Sequence, residues 1–310
     1  MFRALGQVFT KLTALLLLVF SVNTMVLAET AESKQKLDEI ERLLFIHGTE
    51  GPVKFPLPGG VFDLPSDMVL LPGFYANQFM ELIGNNANIG RLAIVMKKDD
   101  PSWIFDIVYS DIGYISDKEA KTWDIDALFE KLREGDKELN EIRREKGAAE
   151  IDTLGWVKKP IYDDKKHHLV WAINLKPIGP NVEEGASNIV NYNAYLLSRI
   201  GYIGLSFLTE ESTFESEQAI AEELRERIHF NEGEGYEDFT LGKDKVAWFG
   251  ISTLVSGTFG QKSSLFTERD KFFLLVAMII IAVVLFAVIA FKRLLRRKAL
   301  ISSNSHDTVQ

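Results

Sequence analysis

Phe272–Phe291 constrains this chain more than any other stretch. It holds twenty consecutive residues with no charge, no Pro and no Gly. As a helix rising about 1.5 Å per residue it would extend roughly 30 Å, the thickness of a bilayer's hydrocarbon core, with its backbone polar groups satisfied internally. Lys292-Arg293-Leu294-Leu295-Arg296-Arg297-Lys298 follows directly, and Glu268-Arg269-Asp270-Lys271 precedes it. A basic excess on the C-terminal side predicts a cytoplasmic tail, with everything upstream on the far side of the membrane. The alternative is a buried core helix; the length and the flanks count against it.

The other end of the chain agrees. Arg3 and Lys11 form a positive region, Leu12–Phe20 is apolar, and Val26-Leu27-Ala28 suits cleavage before Glu29. This is the pattern of a secretory signal peptide, with an uncleaved N-terminal anchor as the alternative. The expected plan is a signal peptide at 1–28, a helical lead-in at 29–50 and an extracytoplasmic domain at 51–270 with a candidate boundary near 150. A transmembrane helix at 271–292 and a basic cytoplasmic tail at 293–310 complete it. That places the protein in a bacterial inner membrane as a single-pass protein.

Between Glu29 and Asp270 there are 43 Asp and Glu against 27 Lys and Arg, a net charge of −16. So acidic a domain argues against nucleic acid as a partner and against docking on anionic lipid by its own surface. The chain has no cysteine, which excludes disulfides, thiolate metal sites and cysteine nucleophiles. An exported domain of this size then rests on core burial.

Along the chain, Ser33–His47 and Phe74–Gly84 carry apolar residues at helical spacing. Val53–Leu57 and Val61–Leu64 read as short extended pieces in a Pro- and Gly-rich stretch. Arg91–Lys97 and Trp103–Tyr109 flank a turn and predict a hairpin; Asp111–Thr122 reads as a polar link. Asp124–Lys146 is a helix with a stripe of Ile125, Leu128, Leu132, Leu139 and Ile142. Leu154–Lys158 and His168–Leu175 read as strands, Pro177–Ser187 as a loop. Val190–Ser198 and Tyr202–Leu208 form a second hairpin around Arg199-Ile200-Gly201. Thr213–Phe230 predicts a helix, and Lys243–Thr258 another, apolar all round. The fold class is α+β, an antiparallel or mixed sheet packed with helices, plus the C-terminal transmembrane helix.

Several residues invite a chemical reading. Asp117-x-Glu119 with Asp124-x-Asp126 resembles a set of oxygen ligands, but has no Gly for the sharp turn of a calcium loop; capping of local helices is the alternative. His167 and His168 are adjacent, and adjacent strand side chains point to opposite faces, so they would not readily share one metal. His229 stands at a helix end, where a cation suits the dipole. Gly204-Leu205-Ser206 begins like a nucleophile elbow but lacks the closing Gly. Gly233-Glu234-Gly235 is acidic and has no Lys-Ser/Thr after it, so it does not cradle phosphate. Asp244-Lys245 is either a surface ion pair or part of a recognition surface. No cofactor and no metal is called for by these patterns.

The runs Gly113-Tyr114-Ile115-Ser116-Asp117, Gly155-Trp156 through Pro160-x-Tyr162-Asp163, and His168-Leu169-x-Trp171-Ala172 form one set of motifs. Arg199-x-Gly201, Phe230-x-x-Gly233-x-x-Tyr236-x-Asp238-Phe239 and Asp244-Lys245-x-Ala247-x-x-Gly250 complete it. Together these resemble a family of uncharacterised, membrane-anchored bacterial proteins defined by a domain of unknown function. The resemblance implies location and fold unity and carries over no catalytic residue. A looser likeness of Gly155–Phe230 is to the PsbP-like sandwich. The reading that results is a non-enzymatic domain that binds or organises an envelope partner. Its candidate contact residues are Tyr162, Asp163, Arg199, Tyr236, Asp244, Lys245 and Trp248. The alternative is an envelope hydrolase or divalent-metal enzyme, which requires Asp117, Asp163, His168 and Asp244 to share one pocket.

Overall fold

The structure is a computed structural model that describes residues 31–256, apart from 84, 86, 99–101, 146–147, 181 and 183–184. The signal peptide expected at 1–28, Phe272–Phe291 and the basic run after it lie outside the described residues. No helix among those described is long and apolar enough to cross a membrane.

Helix α1 (Ala31–His47) leads through β1 (Thr49–Glu50) into the hairpin β2 (Val53–Leu57) and β3 (Gly60–Leu64), then β4 (Met68–Pro72) and α2 (Gly73–Leu82). The hairpin β5 (Arg91–Lys97) and β6 (Ile104–Ser110) follows, then β7 (Tyr114–Ser116), a 3₁₀ turn at Lys118–Lys121 and α3 (Ile125–Glu145). The Asp124 carboxylate caps α3, accepting from the N–H groups of Asp126 at 3.0 Å and Ala127 at 3.1 Å; two of the supposed cation ligands are thus helix-terminus residues. The second half runs β8 (Glu150–Asp163), β9 (His168–Ile178), β10 (Ile189–Ser198), β11 (Gly201–Glu210) and α4 (Glu211–Glu226). It closes with β12 (Ile228–Phe230), β13 (Val246–Gly250) and α5 (Ser252–Ser256).

Among the described residues the main sheet has eight strands in the order β1-β4-β5-β6-β11-β10-β9-β8. Every pairing in it is antiparallel, and it runs without a break across residue 150, because β6 pairs with β11. One face is covered by α4 and the small sheet β12-β3-β2. Their Phe62, Leu64, Phe214, Leu224 and Ile228 pack with Trp103, Phe105, Val170, Tyr192 and Phe207 of the sheet side. On the opposite face Leu37, Ile40, Phe79 and Met80 of α1 and α2 bury Ile94, Met96 and Ile104. Phe129 of α3 meets Trp156, which meets Trp171. The α+β class is therefore met, with antiparallel sheets and helices layered on them.

Four local expectations are corrected. Lys243–Thr258 is not a helix up to residue 256. Val246–Gly250 is a strand paired in parallel with β7, and only Ser252–Ser256 is helical. Thr213–Phe230 ends its helix at Glu226, and Ile228–Phe230 pairs with β3; His229 accordingly sits on a strand. The polar link at 111–122 contains β7 and the 3₁₀ turn. Leu154–Lys158 is the middle of a 14-residue strand whose alternation is interrupted by register shifts, which hid its length.

Candidate functional site

One end of the main sheet gathers most of the unusual chemistry. There the β8–β9 turn, the β10–β11 hairpin and the exit of β6 lie side by side, because His168 pairs with Asp163 and Leu196, and Tyr202 pairs with Ser110. Residues 231–245 cross this end. Gly235 bridges to Ser198. The Arg199 guanidinium donates to the Gly233 carbonyl at 2.6 Å, and its backbone N–H to Glu234 O at 3.3 Å. Arg199 Nε also lies 3.6 Å from Asp244 Oδ1, while Asp244 Oδ2 accepts from the Thr240 N–H at 2.7 Å.

Beneath this segment four rings stack in a column: Phe239 on Tyr114 (4.0 Å between centroids), Tyr114 on Tyr236 (4.5 Å) and Tyr236 on His167 (4.2 Å). Tyr236 is buried, and its hydroxyl donates to the Ile115 carbonyl at 2.8 Å. Burial foremost, and then hydrogen bonding with Tyr114, holds its phenol far above the ordinary tyrosine range. Gly113 makes the approach of β7 to β13 feasible. Its φ is +108°, and a Cβ there would sit 2.9 Å from Ala247 N.

His167 closes the column at a cost. It is the last residue of the β8–β9 turn and has φ +55°, a left-handed conformation that costs an ordinary residue about 1–2 kcal/mol and favours Gly. The turn is held by Asp163 Oδ1, which accepts from Lys165 N at 2.9 Å and Lys166 N at 3.1 Å, and by Leu197 N–H donating to His167 O at 3.0 Å. The strain places the imidazole between two acids. Nδ1 is 2.8 Å from the Tyr162 hydroxyl, which in turn donates to Asp117 Oδ2 at 2.9 Å, and Nε2 is 2.8 Å from Glu237 Oε1. A non-glycine held in this region is a pointer to a functional constraint.

His168, one residue on, goes elsewhere. It faces α4, and burial first, then the Arg225 charge, pushes its imidazole down to about 4. The two histidines do not share a ligand: His167 leaves the turn toward Tyr162 and Glu237, whereas His168 opens β9 and faces α4.

Of the seven contact residues expected from sequence, Tyr162, Arg199, Tyr236 and Asp244 meet at this end. Lys245 contributes mainly its carbonyl, which accepts from Tyr114 N at 2.8 Å, while its Nζ lies 3.4 Å from Asp111 O. Asp163 turns away and serves the hairpin turn. Trp248 lies on β13 next door, with its side chain exposed and set edge-on to Phe249. Sequence reasoning missed His167, Glu237, Tyr114 and Phe239 as members of the site. The signal available was a bulky residue at the turn position where Gly is expected, and two aromatics inside the motif runs.

The four groups of the hydrolase reading do not converge. Asp117 serves Tyr162, Asp163 serves a turn, His168 faces α4 and Asp244 serves Arg199. Among the described residues no three His, Asp or Glu side chains are placed to hold a metal ion. Glu119 accepts from the Ser252 N–H at 2.7 Å instead, and Ser206 Oγ donates to Asn191 within the sheet. A cleft of about 820 Å³ lies apart from this end, between β2, β3 and α4, lined by Lys54, Asp63, Asp67, Lys97, Glu223 and Arg227 among others.

No curated protein sequence matches the chain. In three dimensions it is similar to the solution structure of cyanobacterial PsbP (CyanoP) from Synechocystis. The identity is 11%, over 58% of this chain and 92% of that one, at a TM-score of 0.36; a likeness so distant assigns no function. The family model described as a protein of unknown function (DUF2167) matches residues 47–287, which include every residue of this site, and the chain belongs to that family.

Proposed function

We propose that the chain is a single-span inner-membrane protein whose acidic extracytoplasmic domain binds an envelope partner, through the face made by residues 231–248. The observation that carries this reading is Trp248. The residue is 58% exposed on an edge strand, and that strand is fixed against β7. A large aromatic held out from a rigid edge is the usual anchor of a protein interface, since it loses little freedom on binding and buries much apolar area. Leu241 and Val246 are exposed beside it in sequence, and Arg199 and Asp244 pin the segment behind it. The tether reading rests on the charge-free run at 272–291 and its basic flank.

The test is a photo-crosslinking residue placed at 248 in intact cells, with a control at the exposed Leu154 on β8. The proposal expects one discrete adduct from 248 that the control does not give. Identical products from both positions, or none from 248, would overturn it.

A further inference from the structure

Three hydrogen bonds run in a row through His167. They join Asp117 to Tyr162, Tyr162 to Nδ1, and Nε2 to Glu237, at 2.9, 2.8 and 2.8 Å. The row begins and ends on a carboxylate, and a carboxylate only accepts. Tyr162 has one proton to give. Burial first, and Asp117 second, hold its phenol far above the ordinary tyrosine range, so it remains a hydroxyl. When that proton is directed at Asp117, Tyr162 presents lone pairs to Nδ1, which must donate. Glu237 requires Nε2 to donate as well. The complete row therefore contains an imidazolium, and a neutral ring completes only two of the three bonds.

We infer that this row is a proton-operated clasp. Charged His167 ties residues 231–245 to the β8–β9 turn through Glu237, and neutral His167 releases Glu237.

The side chains decide which bond goes. Glu237 is 84% exposed and Asp117 27%. Water replaces a lost donor at Glu237 readily, whereas Asp117 without Tyr162 would be a half-buried carboxylate short of a donor. The neutral ring thus keeps its proton on Nδ1 and turns a lone pair on Glu237. The other groups around the ring do not compete. Tyr236 stacks on it as a neutral phenol. On its own turn, Lys166 pairs with Glu226 at 2.7 Å and Asp164 with Lys121 at 3.7 Å.

Closing takes up a proton, so acid favours the closed clasp and rising pH opens it. The consequence for partner binding rests on the function proposed above, because Asp244 and the lead into β13 belong to the same segment; the clasp itself does not.

The experiment is hydrogen–deuterium exchange on the full-length chain in detergent at about pH 5.5 and about pH 8, corrected for intrinsic exchange. In the wild-type chain, peptides within 231–245 should lose at least about threefold in protection at the higher pH, while β9 and β10 do not change. His167→Gln should remove that difference. Glu237→Gln, at an exposed position whose change leaves the packing intact, should remove it too, because an amide can donate to the bare Nε2. Equal protection of 231–245 at both pH values, or a difference that survives Glu237→Gln, would overturn the clasp. Crosslinking from position 248 is scored separately, so loss of the partner and loss of the clasp are told apart.

Discussion

Removing the Arg91 guanidinium should be among the costliest single changes in this fold. Arg91 on β5 and Asp106 on β6 face each other inside the protein, with side chains 5% and 10% exposed. Two parallel bonds join them, Nε to Oδ1 at 2.9 Å and Nη2 to Oδ2 at 3.0 Å. Arg91 Nη1 also donates to Asn77 Oδ1, and Asn77 holds the loop at Asn88 through two further bonds. Arg91→Met leaves a buried carboxylate without its counter-charge, a loss of about 3–5 kcal/mol. That is a large part of the about 5–15 kcal/mol that holds a domain together. Removing both charges, in Arg91→Met with Asp106→Leu, should recover most of it, because no ion is then left in the interior. Burial already pushes the Asp106 carboxyl up against the pull of Arg91. Without Arg91 the folded state holds that proton more tightly than the unfolded one, so the deficit of the single variant should shrink as pH falls and grow as it rises. Urea unfolding in detergent, followed by tryptophan fluorescence, measures this directly, since all five Trp lie between residues 103 and 248. A single-variant cost below about 1 kcal/mol, or a double variant as weak as the sum of the two singles, would refute the reasoning.

Two further outcomes follow from particular contacts. Burial pushes the His168 imidazole down to about 4, from the roughly 6.5 of a free imidazole. The unfolded chain therefore takes the proton first, and stability should fall by about 3 kcal/mol as pH drops from about 6.5 to about 4. His168→Gln should flatten that part of the pH profile, and an unchanged acid limb would count against it. Asn140 on α3 closes the edge of β8 at Ile151, donating to its carbonyl at 2.7 Å and accepting from its N–H at 2.8 Å. Asn140→Leu should cost about 1–3 kcal/mol in the same urea assay and raise edge-to-edge association in light scattering.

What the sequence made legible was local. The hairpins β5–β6 and β10–β11 follow from alternation around short turns, and α3 from its apolar stripe and the Asp124 cap. The parts it hid depend on distant partners. Val246–Gly250 is apolar enough to pass for a helix, and becomes a strand because Gly113 lets β7 come against it. Ile228 continues the helical spacing of Leu224, yet its backbone pairs with Phe62. The His167 site joins Asp117, Tyr162, His167 and Glu237, and the motif runs show which residues are unusual without showing that they touch. Tyr162, Arg199, Tyr236 and Asp244 were each visible in the motif runs; the imidazole that lies between Tyr162 and Tyr236 was not.

The absence of native cysteine makes one measurement decisive for the proposal that the domain is tethered and faces outward. Single cysteines at exposed Glu237 and at Ser303 of the tail are treated with a membrane-impermeant maleimide, in cells whose outer barrier alone has been opened. The account requires labelling at 237 in intact inner membranes and at 303 only after lysis, with the protein in the membrane fraction throughout. Labelling at 303 before lysis, protection at 237, or recovery of the chain without detergent would contradict it.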